Sequence, residues 1–128
     1  MTEKQAKSVF AHELSRFAAI YPVVKGTRLV FRARHYLKHP EARDLAWHEA
    51  DARTVYLLRS ALTRSPACLR GIFRHELGHA CDPDFGPGGE ARADRIARRV
   101  LGVPVRYTRD GVQHATHGAP TRPSWLPR

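Results

Sequence analysis

Residues 82–89, Asp-Pro-Asp-Phe-Gly-Pro-Gly-Gly, hold three glycines and two prolines in eight positions and cannot be helical. The segments on either side carry helical patterns, so this tight reversal folds two helices back on each other. Upstream, Ser65-Pro66 is a helix start, an N-cap serine followed by proline at the first helical position. Leu69, Ile72, Phe73, Leu77 and Ala80 then form an apolar stripe that runs to about Cys81. Downstream, Glu90 to Leu101 resumes a helix, closed by Gly102 just past its C-cap.

The rest of the chain supplies a sheet and a further helix. Residues from about Thr2 to Ile20 predict an amphipathic helix, with Phe10, Leu14, Phe17 and Tyr21 at spacings of four and three and Pro22 ending it. Thr27 to Arg32 reads as a short strand after the turn residue Gly26. Leu45 to His48 and Thr54 to Leu58 read as two more, joined across Glu49-Ala50-Asp51-Ala52. His35 to Arg43 stays ambiguous because Pro40 opposes a continuous helix. In the tail, Val103 to Thr108 is a candidate strand ahead of a proline-rich end at Pro120 to Pro127. The expectation is an α+β fold with an N-terminal helix and a small, mostly antiparallel sheet. At 128 residues, 42% hydrophobic and 27% charged, the chain is expected to form one globular domain over 1–128.

No apolar run approaches the length of a membrane span, and the N-terminus lacks a signal-peptide core, so no membrane partner and a cytoplasmic location are expected. Cys68 and Cys81 lie near opposite ends of one predicted helix, roughly 20 Å apart at the helical rise. That is too far for a disulfide, and both are expected as free thiols.

Within the helix that starts at Ser65, His75-Glu76-Leu77-Gly78-His79 has the HExxH pattern. Four residues turn a helix by about 400°, so His75 and His79 share a face and can hold one Zn²⁺ between their imidazoles. Glu76, beside that face, can take a proton from the attacking water without filling a ligand position. A catalytic zinc has three protein ligands and an open position. Glu90 and Asp94, four apart on the returning helix, are placed to supply the rest. Glu90 is the expected third ligand, and Asp94, one turn deeper, receives the free ring N–H of a ligand histidine, His75 foremost. Asp82 and Asp84 compete for the third position. Gly78, costly inside a helix, admits two readings, a close approach at the metal or a packing glycine. Tyr107, His114 and His117 are candidates for stabilising the oxyanion of a tetrahedral intermediate, and either histidine could instead reach the fourth metal position. His35, His39 and His48 read as surface or packing residues.

These residues resemble the gluzincin group of zinc metallopeptidases. His75-Glu76-Leu77-Gly78-His79 followed by Glu90-Ala91-Arg92-Ala93-Asp94 is similar to the layout of thermolysin-like enzymes, of the compact minigluzincins and of the ImmA/IrrE-like small intracellular endopeptidases. The resemblance covers about residues 54–102. It implies a zincin-like fold, one Zn²⁺ per chain held by His75, His79 and Glu90, Glu76 as general base, Asp94 behind a ligand histidine, and a peptide or protein substrate. Only ten residues separate His79 from Glu90, shorter than in many gluzincins, and residues 103–128 match no part of the family. The metzincin pattern fails, because it wants a glycine where Asp82 stands and a ligand where Phe85 stands.

An extended substrate is expected to add as a strand to Thr54–Leu58, taken as the edge of the sheet. The formal charge of +10 leaves a second function class open: a basic module that binds nucleic acid or an acidic protein, with a structural or catalytically silent zinc. Arg92, Arg95, Arg98 and Arg99 are the densest basic group, and a solvated helix face accounts for them as well as a phosphate-binding stripe does.

Overall fold

The computed structural model describes residues 1–34, 45–82 and 89–102, the side chain of Glu90 excepted. The expectations for His35–Arg43 and Val103–Thr108, and the candidates Asp84, Tyr107, His114 and His117, lie outside the described residues.

Helix α1 spans Glu3–Ile20 and begins at a reciprocal cap. The Gln5 amide donates to the Thr2 hydroxyl at 3.1 Å, and the Thr2 amide donates to Gln5 Oε1 at 2.8 Å. Pro22 cannot continue the helix and opens a 3₁₀ turn, Pro22–Val24. Three strands follow: β1 (Arg28–Arg32), β2 (Ala46–Glu49) and β3 (Thr54–Leu58). A second 3₁₀ turn, Arg59–Thr63, leads to helix α2, Pro66–Cys81, where Ser65 Oγ accepts from the Cys68 amide at 3.1 Å. Helix α3 spans Gly89–Leu101. Gly102 closes it at φ 69°, donating its amide to the Arg98 carbonyl at 2.7 Å.

Two expectations about the sheet are corrected. The strand order is β1-β3-β2, with β1 parallel and β2 antiparallel to β3, so the sheet is mixed rather than mostly antiparallel. Thr54–Leu58 is therefore the central strand and not the edge. The cause is topological: the chain leaves β1, lays β2 on the far side, and returns to pair β3 with both.

One face of the sheet packs on the helices. Val55 and Leu57 of β3 are wholly buried with Phe10 and Phe17 of α1 and Leu69, Ile72, Phe73 and Leu77 of α2. The Phe10 and Phe73 rings meet edge to face at 5.2 Å. Beside them a buried ion pair joins α1 to α2. Arg74 donates from Nε to Glu13 Oε2 at 3.0 Å and from Nη2 to Oε1 at 3.1 Å. Helix α3 lies on the other flank of α2, with Ala93 and Ala97 fully buried. No helix among the described residues is long and apolar enough to cross a membrane.

Candidate metal centre

Helix α2 brings His75 and His79 together by its own period. Their Nε2 atoms are 3.1 Å apart and their rings meet at 89° with centroids 4.7 Å apart. His75 is buried, at 2% exposure, and Nδ1 of its ring lies 2.6 Å from Asp94 Oδ1 on α3. An ionised carboxylate can only accept in such a bond, so the Asp94 contact favours a proton on Nδ1, the tautomer that in a neutral ring leaves the Nε2 lone pair of His75 toward His79.

The approach of α3 that makes this contact depends on Gly78. A β-carbon built there would stand 2.3 Å from the Ala93 carbonyl oxygen and 2.9 Å from its carbon. Backbone therefore meets backbone at this crossing, one residue before Asp94. Of the two readings of Gly78, the packing one describes what the helix does, since the close neighbour is α3.

Glu76 is buried, at 4% exposure, next to His75 on α2. Glu90 lies in the first turn of α3, one turn before Asp94. Asp82, just past α2, accepts from Arg92 Nε at 2.8 Å. Arg92 is thereby tied to the end of α2, and the densest arginine group is not uniformly a solvated face. Among the described residues, which omit the Glu90 side chain, no group of three or more His, Cys, Asp or Glu side chains is gathered closely enough to hold a metal ion.

The described pair nevertheless fits one. Two nitrogens bound to a tetrahedral zinc at about 2.0–2.1 Å stand roughly 3.3 Å apart, close to the spacing found here. The Asp94 bond also fixes the tautomer that exposes a lone pair from His75, the arrangement a metal-binding imidazole needs.

A third histidine, read from the sequence as a surface or packing residue, lies on the strand that packs on α2. His48 of β2 is half-buried, and its pKa falls from the ordinary 6.5 to about 4, first because burial disfavours the charged ring and second because positive charge on His79 opposes it. Nothing local in Trp47-His48-Glu49 signals this, since only the fold carries β2 to α2. Cys68 and Cys81 are not joined in a disulfide. Burial pushes the Cys81 thiol up to about 12, which leaves it unreactive, and raises Cys68 as well.

No protein-family model matches the chain, and no curated protein matches it. Among solved structures it is similar to the metallopeptidase zymogen of Pyrococcus abyssi abylysin, at 13% identity and a TM-score of 0.47, over 73% of this chain and 89% of that one. A likeness that distant bears no weight in assigning chemistry here.

Proposed function

We propose that the chain is a zinc-dependent metallopeptidase of the zincin type. The observation that carries this reading is the convergence of the His75 and His79 Nε2 atoms at 3.1 Å, with His75 held in one tautomer by Asp94. His75, His79 and Glu90 would hold the zinc, which when bound supplies Lewis acidity toward water and the scissile carbonyl.

The chain's own residues do the rest. Glu76, buried beside the pair, accepts the proton of the attacking water and delivers it to the leaving amine. Asp94 keeps the His75 ring from turning. Because β3 is central, the strand that receives an extended substrate is β2, which ends the sheet among the described residues on the side that packs on α2.

The test is zinc content by elemental analysis, together with hydrolysis of fluorescein-labelled casein. Wild type should carry about one zinc per chain, and both His79→Ala and Glu90→Ala should lose it. Glu76→Gln should keep the zinc and lose hydrolysis. Casein cleavage that survives in Glu76→Gln would overturn the mechanism. Zinc-free wild type, after incubation with the metal, would overturn the whole reading.

A further inference from the structure

Besides Asp94, the fold among the described residues also directs the titratable His48 toward the helix that carries the motif. Register decides the direction. Trp47 pairs with Tyr56 and their rings stack at 5.2 Å, so both lie on one face of the sheet. The flanking pairs, Ala46 with Leu57 and His48 with Val55, must then lie on the other face. Val55 and Leu57 are wholly buried in the core shared with α1 and α2, so that is the helix side. His48 thus projects from β2, an edge of the sheet among the described residues, toward the helix that carries His75 and His79.

We propose that His48 is a catalytic residue of this site, donating a ring N–H to the oxygen of the scissile carbonyl as that oxygen becomes an oxyanion. The inference rests on the metallopeptidase reading. A peptide added along β2 runs beside His48, and its carbonyl must turn toward the two histidines to be attacked. That brings the oxygen to the face of β2 that packs toward α2. A neutral imidazole is suited to it, because it has one N–H to give and adds no positive charge to a site already meant for a cation. The step moves no proton from His48; the hydrogen bond strengthens as negative charge grows on the oxygen and relaxes when the leaving amine departs.

The experiment compares wild type, His48→Ala and His48→Gln, all zinc-loaded, on labelled casein, with zinc content and thermal midpoint measured in parallel. A phosphinic peptide, whose tetrahedral oxyanion stands in for the intermediate, gives a second readout by calorimetry. Loss of an oxyanion donor costs about 10²–10³ in kcat. His48→Ala should therefore lower kcat on that order with KM nearly unchanged, and should weaken phosphinic-peptide binding while keeping one zinc per chain. His48→Gln, which retains an N–H donor, should recover part of both. Unchanged kcat in His48→Ala would overturn the proposal while leaving the peptidase reading intact. Loss of zinc in His48→Ala would overturn it too, by making His48 a support of the metal. Wild type that neither binds zinc nor cleaves casein removes the peptidase reading and this inference with it.

Discussion

Arg74 and His75 are consecutive residues of α2, both buried, and each meets a carboxylate from a different helix. Arg74 turns to α1 and is clasped by Glu13 through two hydrogen bonds, with side-chain exposures of 6% and 0%. His75 turns to α3 and meets Asp94 through one, and the Asp94 side chain keeps 22% of its exposure. The first pair uses the carboxylate from both oxygens and faces the interior. The second occupies one ring nitrogen and leaves the other aimed at His79. Similar chemistry thus serves two ends, holding α1 on α2 in one case and fixing the His75 ring in the other. The number of bonds and the access of solvent separate them.

The largest test of this contrast removes the closed pair. Glu13→Ala leaves Arg74 charged and buried without its acceptor, and should cost about 3–5 kcal/mol in urea unfolding. A loss below about 1 kcal/mol would show that the pair is not the clamp described. Next comes Gly78→Ala, which sets a β-carbon against the Ala93 carbonyl. It should destabilise by about 1–3 kcal/mol through overpacking and, by shifting α3, weaken zinc binding as well. Asp94→Asn should do the reverse of Glu13→Ala, with little change in unfolding free energy and a loss of about 10–100-fold in zinc affinity, read by competition with a chelator. An Asp94→Asn protein that unfolds as easily as Glu13→Ala would erase the distinction.

The smallest effect concerns acid. His48 has a folded pKa near 4, below its ordinary 6.5, so in the metal-free protein the unfolded chain takes up the proton first. The stability from keeping this ring neutral is complete above about pH 6.5 and is lost as pH falls from 6.5 to 4. Replacement by Gln should flatten that part of the urea-midpoint profile; an unaltered slope would place the titration on another group.

Much of this was legible in the residues themselves. Pro22, Ser65-Pro66 and Gly102 are local signals, and the helix ends fall where those residues predict. His75 and His79 are equally local, since helical period alone brings them together. The order of the strands is not local. Thr54–Leu58 has the same alternation whether it is an edge or a centre, and only the pairing with Arg28–Arg32 across more than twenty residues makes it central. The surroundings of His48, read as a surface or packing residue, escape a local reading for the same reason, because His79 lies thirty-one residues away on another element. Gly78 stood between: its oddity in a helix was visible, but the backbone it accommodates belongs to α3.

Side chains in a packed core can change rotamer and let neighbouring elements creep as temperature rises. The contact of Gly78 with Ala93 has no such freedom, because both partners are main chain. The distance from α2 to α3, and with it the reach of Asp94 to His75, is therefore set by rigid peptide geometry. Heating or compression should loosen the sheet before it alters the spacing of these two groups.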